Sequence, residues 1–87
     1  MKKIYIIPSG IDKDTVLSFI GESSNRLQYI LRRAFEIYGG EGFVLFNNND
    51  WTYSSQGYLH THMEDYSRKG YEILVCTRNF IGVLWRW

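Results

Sequence analysis

The residues of this 87-residue chain that could do chemistry include two histidines, one cysteine, and a few serines and carboxylates. His60 and His62 are two positions apart. On a helix such residues diverge by about 200 degrees, so they cannot share a metal ion there. We interpret one histidine as a surface residue and the other as packed against a sheet. The sequence therefore predicts no metal site.

The sequence contains the residue types that nucleophilic catalysis requires, but it contains no recognisable nucleophile motif. Ser54, His60, Asp65 and Cys76 could be combined into a triad, yet none lies in a recognisable nucleophile context. Cys76 ends an alternating apolar segment and is interpreted as a small buried strand residue. The glycine-rich segment 39–42 precedes a strand, whereas a phosphate-binding loop precedes a helix. We expect a non-enzymatic protein with no catalytic residue and no cofactor.

Size and charge restrict the classes of function. Eighty-seven residues suffice for one domain, expected to span residues 1–87. Ten basic and nine acidic residues leave a formal net charge of +1, which creates no general field for nucleic acid or an anionic membrane. The single cysteine forms no internal disulfide, and the apolar run 4–7 is too short for a signal sequence or a membrane span. We expect a cytoplasmic protein that makes no membrane contact.

The clearest element that could position these residues is a helix from Ser24 to Tyr38. Ser24 can accept a hydrogen bond from a free amide of the first turn, and Gly39-Gly40 permit the conformation that ends a helix. Apolar residues recur at a spacing of three and four, which is typical of one buried helical face. They are Leu27, Ile30, Leu31, Ala34, Phe35 and Tyr38. The residues predicted to face solvent are Arg26, Gln28, Arg32, Arg33 and Glu36.

The other elements are shorter. Segments 4–7 and 43–46 are apolar runs bounded by turn residues, as in buried strands, and a short helix is favoured over a strand after Asp12. Segment 47–50 is predicted to be a polar loop that continues through Trp51 and Tyr53. A second amphipathic helix is expected to be capped by Ser54 or Ser55 and to end at Gly70.

The C-terminal region alternates in two segments, 71–77 and 80–87, which predict a hairpin with its turn at Arg78-Asn79. The complete order of elements indicates an α+β two-layer sandwich. It would have about four strands, with two to three helices mainly on one face.

Two strands carry a resemblance to a known family. Residues 40–46, GEGFVLF, resemble the RNP1 strand of the RNA recognition motif family, and residues 4–6, IYI, are similar to its RNP2 strand. The resemblance is confined to these two segments. It implies a sheet whose exposed face stacks the bases of single-stranded RNA, with Tyr5 and Phe43 at stacking positions. A buried strand after a glycine turn is the alternative interpretation of the same residues.

Aromatic residues make up 17% of the sequence, a large share for a small core. They either thicken that core or form a binding surface, because Trp, Tyr and Arg dominate binding hot spots. The residues predicted to form the binding surface are Tyr5, Phe43, Trp51, Tyr53, Trp85, Arg86 and Trp87.

We therefore expect a small binding protein that acts as an inhibitor or adaptor by docking this aromatic and arginine surface on a partner protein. By analogy of size it is comparable to phage accessory proteins. A homodimer would hide the same rings. Two alternatives stay open: a single-stranded RNA-binding domain, and a small-ligand or nucleotide site beside His60 and the 47–50 loop.

Overall fold

The computed structural model describes residues 2–22, 24–55, 60–76 and 83–84. The helices are α1 (Lys13–Ile20), α2 (Asn25–Tyr38) and α3 (His60–Arg68). The strands are β1 (Lys3–Ile7), β2 (Gly42–Asn47), β3 (Asp50–Ser54), β4 (Glu72–Val75) and the two-residue β5 (Val83–Leu84). They form a mixed sheet in the order β3-β2-β1-β4-β5, with β1 parallel to β4 and the other neighbours antiparallel. The predicted α+β class is confirmed.

β1 lies at the centre of the sheet and is buried on both faces. Tyr5 and Ile7 point towards α1 and α2, whereas Ile4 and Ile6 pack with Met63 of α3 on the opposite face. Because side chains alternate along a strand, one short segment contributes to two apolar clusters. The helices lie mainly on one face, as predicted, and α3 covers part of the other.

The predicted ends of the main helix are confirmed. The Ser24 hydroxyl oxygen accepts a hydrogen bond of 3.1 Å from the Leu27 amide, and the Gly40 amide donates to the Ala34 carbonyl at 3.2 Å. Its apolar stripe is buried at Leu27, Ile30, Leu31 and Ala34. Tyr38, predicted to be buried, is exposed instead. It is the last residue of a helix that packs against β3, so its ring lies beside the outermost strand of the sheet.

The segment 47–50 is a tight turn rather than the entrance to a loop. Asn48 and Asn49 have φ angles of 52° and 65°, and Asn47 pairs directly with Asp50. Asparagine tolerates this left-handed conformation better than most residues do, and two such residues close a hairpin whose twist matches the strands. Trp51 and Tyr53 therefore lie on β3, which corrects the loop prediction.

The same hairpin excludes Ser54 as the cap of the last helix. Ser54 is the final residue of β3 and pairs with Phe43, so it does not cap a helix. α3 begins at His60. The helix prediction is confirmed over His60–Arg68, and its capping by Ser54 is wrong. The alternative cap, Ser55, is followed by residues 56–59, which lie outside the described residues.

The C-terminal hairpin is confirmed where the structure describes it. Leu74 pairs with Leu84 and Val75 with Val83, both antiparallel. The predicted turn at Arg78-Asn79 and the site residues Trp85, Arg86 and Trp87 lie outside the described residues. None of the helices in the described part of the chain combines the length and apolar character needed to cross a bilayer.

Gly42 offers a test of how closely β2 and β3 approach. Its φ is +151°, and an added Cβ would lie 2.2 Å from the Ser54 carbonyl oxygen. We expect Gly42→Ala to lower the free energy of unfolding by about 3 kcal/mol or more. Gly39 is the matched control, because its φ is +72° and no atom lies within 4 Å of an added Cβ. Gly39→Ala should cost only about 1 to 2 kcal/mol in urea unfolding. Equal losses would contradict the close approach of the two strands.

Cys76 follows β4, where its amide donates to the Ile6 carbonyl at 2.9 Å. It is buried, as predicted, and burial raises the pKa of its thiol from 9.0 to about 12. Below pH 9 both the folded and unfolded states keep the proton. Above pH 9 the unfolded state loses it first, so stability falls as the pH rises towards 12.

We therefore expect the free energy of unfolding to drop by about 1 kcal/mol between pH 9 and pH 10 because of this thiol. Urea unfolding at pH 8, 9 and 10 would measure the drop. Cys76→Ala removes the titrating group and keeps every tyrosine, so the variant should lose less stability over this range. A parallel decline in both proteins would show that the thiol does not contribute.

Candidate functional site

Three residues of the predicted binding surface are core residues. Tyr5, Phe43 and Trp51 are each less than 10% exposed. The Tyr5 ring lies 6.2 Å from that of Phe19 and 6.1 Å from that of Trp51, as measured between centroids. Burial, followed by nearby acidic groups, raises the pKa of the Tyr5 hydroxyl. These rings therefore thicken the core, the alternative that the aromatic composition had left open.

The rings of Tyr5 and Phe43 do not form a common surface. Tyr5 pairs with Val44 across the β1–β2 ladder, and Phe43 pairs with Ile6. Consequently Tyr5 belongs to the cluster under α1 and α2, while Phe43 belongs to the cluster under α3. The predicted stacking face with both rings open to solvent is wrong for this pair, because β1 at Tyr5 and β2 at Phe43 and Val44 are buried.

The exposed aromatic and arginine surface lies along α2 instead. Tyr29, Ile37 and Tyr38 are 51%, 54% and 55% exposed, respectively. They border a depression of about 410 Å³ between α2 and β3. We call this depression the α2–β3 groove. The lining residues used below are Arg26, Tyr29, Arg33, Ile37, Tyr38 and Tyr53.

Of the predicted site residues that the structure describes, Tyr53 alone lies in the α2–β3 groove. Its hydroxyl donates a hydrogen bond of 2.7 Å to the Glu41 carbonyl, and its ring lies 6.0 Å from that of Tyr38. Burial, and then the neighbouring Tyr38 and Glu41, raise the pKa of this hydroxyl. The side chain is thus held at both its ring and its hydroxyl, and it forms a fixed wall of the groove.

The charge of the groove is positive. Arg26 and Arg33 line it, and no acidic side chain does so among the described residues. The Arg26 Nε lies 3.7 Å from the Asp50 carboxylate at the end of β3. Arg33 has no carboxylate within ion-pair distance in the part of the chain that the structure describes. Its guanidinium is therefore available to a carboxylate from outside.

A second depression, of about 340 Å³, lies between α3 and the β2–β3 hairpin. Its polar lining includes His62, Asp65 and Lys69. The Lys69 ammonium lies 5.6 Å from the centroid of the Tyr66 ring, and Asp65 lies 3.9 Å from Arg68. The 47–50 turn does not line this depression, and the side chain of His60 lies outside the described residues. Within the described ranges, no three His, Cys, Asp or Glu side chains are grouped to hold a metal ion.

Sequence reasoning missed Tyr29 and Ile37. Both are large apolar residues of α2 that lie outside the predicted apolar stripe, and the sequence analysis assigned neither of them to a face. Their position outside the stripe was the available signal for a binding surface, because a large apolar residue off the buried face of a helix contributes little to the core. The helix pattern alone could not show that Tyr29 and Ile37 adjoin an edge strand.

No family model, curated protein or solved structure matches this chain.

Proposed function

We propose that this chain is a small non-enzymatic binding protein that acts as an inhibitor or adaptor by docking its α2–β3 groove on a partner protein. The observation that carries the proposal is that α2 combines three exposed large apolar side chains with Arg33, which has no carboxylate partner among the described residues. Single exposed apolar residues are common, but a contiguous patch with arginine is typical of an interaction surface. Tyr and Arg are also the residues that contribute most to binding hot spots.

The groove is pre-organised for binding, because contacts within the protein already order the residues that line it. Tyr29, Arg33 and Ile37 project from a helix whose opposite face is buried, and Tyr53 is fixed by a hydrogen bond. Ordering side chains at an interface costs about 0.5 to 1.5 kcal/mol for each flexible side chain, and a rigid support reduces that cost. A partner would therefore gain contact area without having to order this helix.

The depression beside α3 supports a small-ligand function less well. Its charged groups are already engaged within the chain, since Asp65 lies near Arg68 and Lys69 lies over Tyr66. A ligand would have to replace those contacts. The α2–β3 groove, in contrast, offers Arg33 without a competing carboxylate among the described residues.

Charge reversal at Arg33 tests the proposed surface. The tagged protein would be incubated with an extract of the cells that carry its gene, and the retained proteins would be identified by mass spectrometry. We expect Arg33→Glu to abolish retention of the partner. Arg32→Glu, the same change at an exposed residue outside the groove, should preserve it. Ribonuclease treatment separates a protein partner from one bound through RNA.

Truncation at Tyr29 gives a quantitative measure once the partner is purified. We expect Tyr29→Ala to weaken binding by about 2 kcal/mol, as for a hot-spot residue, and to change folding stability by less than about 0.5 kcal/mol. Calorimetric titration and thermal unfolding of the same samples would measure the two quantities. A partner bound equally well by wild type, Arg33→Glu and Tyr29→Ala would contradict docking through this groove.

A further inference from the structure

The groove has a second property, which comes from the backbone of β3. β3 is the outermost strand on one side of the sheet, with β2 as its neighbour in the described part of the chain. In a hairpin closed by a two-residue turn, the residues that flank the turn exchange hydrogen bonds, and every second pair does so thereafter. Asn47 pairs with Asp50 in this way, as do Leu45 with Thr52 and Phe43 with Ser54.

Trp51 and Tyr53 are therefore the residues of β3 whose amide and carbonyl groups point away from β2. The Trp51 amide is occupied, because it donates to the Asp50 carboxylate at 2.9 Å. The position of Tyr53 in this alternation directs its amide and carbonyl away from β2, towards the outer edge of the described sheet. Tyr53 lines the groove together with Arg33 and Ile37.

In the described part of the chain, β3 contains no lysine, proline or bulge that would protect its edge against strand addition, and α2 packs against this strand. Sheet edges are commonly blocked by lysine, proline, a bulge or a very short strand. β3 is five residues long with the sequence DWTYS and pairs with β2 in continuous register. The opposite edge, β5, is only two residues long in the described part of the chain.

We propose that the α2–β3 groove takes an extended, acidic segment of the partner protein, which adds to the free edge of β3 as a further strand. This inference rests on the proposed function and specifies the form of the partner. Main-chain hydrogen bonds to Tyr53 would supply affinity, and side chains turned towards α2 would supply specificity. A carboxylate on that face would pair with Arg33, while apolar side chains would contact Tyr29 and Ile37.

The dimensions suit a short strand. From Arg26 to Ile37, α2 rises about 16 Å, which corresponds to about five residues of extended chain. Charge selects an acidic segment over a second copy of this chain, because a copy would bring to the same edge its own Arg33, which has no carboxylate partner among the described residues. Like charges brought together at an interface oppose association.

Selection from a random library of displayed 12-residue peptides tests the inference without a known partner. Wild-type protein would be the target, and Arg33→Glu would be the counter-selection. We expect enriched peptides to alternate apolar with acidic residues, and synthetic copies to bind Arg33→Glu at least about tenfold more weakly than Arg32→Glu. Enrichment of peptides with apolar residues at a spacing of three and four would instead indicate a helical partner, and would overturn strand addition.

Two measurements on one enriched peptide establish its conformation. Amide exchange should show the Tyr53 amide protected in the complex and not in the free protein. N-methylation along the peptide should weaken binding about tenfold at every second position and leave the alternate positions unaffected. An unprotected Tyr53 amide, or an N-methyl pattern without a period of two, would overturn the inference.

These outcomes are separable from failure of the proposed function. If a cellular partner depends on Arg33 but no strand-forming peptide is selected, the docking function stands and strand addition fails. Sedimentation of the purified protein tests whether a second copy of this chain occupies the edge of β3 instead. A dimer whose formation protects the Tyr53 amide without peptide would show that a second copy occupies the edge, and would overturn the acidic partner.

Discussion

Burial of both faces of β1 is the constraint on which the rest of the structure depends. This five-residue strand contributes Ile4 and Ile6 to one apolar cluster and Tyr5 and Ile7 to the other. The chain must therefore provide apolar cover on both sides of the sheet. α1 and α2 cover one side, and Met63 of α3 closes the other over the centre. The aromatic residues of the inner strands are thereby used in the core. The exposed aromatic side chains lie instead where α2 packs against the outermost strand.

Much of the fold could be predicted from the sequence because its signals are local. The Ser24 cap, the glycine stop of α2 and the apolar run of β2 each depend on residues a few positions apart. β3 could not be recognised in this way, because a polar Asn-Asn pair is typical of both a loop and a left-handed hairpin turn. Which of the two forms depends on whether the strand that follows finds a partner in β2.

The candidate site was less predictable than the fold. Of the predicted surface residues, only Tyr53 lies in the groove within the described part of the chain, and Tyr5, Phe43 and Trp51 are buried. Aromatic composition does not indicate on which face of the sheet, or in which layer of the fold, a given ring lies. The exposure of a ring depends on where the sheet ends and on which helix extends past that edge. In the described structure, Tyr53 pairs with β2 on one side and has no strand on its outer side, and this is also the edge beside which Tyr29 and Ile37 are exposed. The proposed side-chain and backbone recognition would thus both arise from one feature, the packing of α2 along an edge strand.

The parallel pairing of β1 with β4 has a consequence for biosynthesis. Lys3 lies opposite Glu72, so the ribosome has added sixty-nine further residues before this pair can form. β2 and the α1–α2 layer emerge earlier, which leaves the Ile4 and Ile6 side of the nascent sheet uncovered until α3 and β4 follow. Such non-local pairing slows folding and exposes apolar surface on partly folded chains. Because β1 lies at the centre of the sheet, it is covered by segments that are synthesised after it.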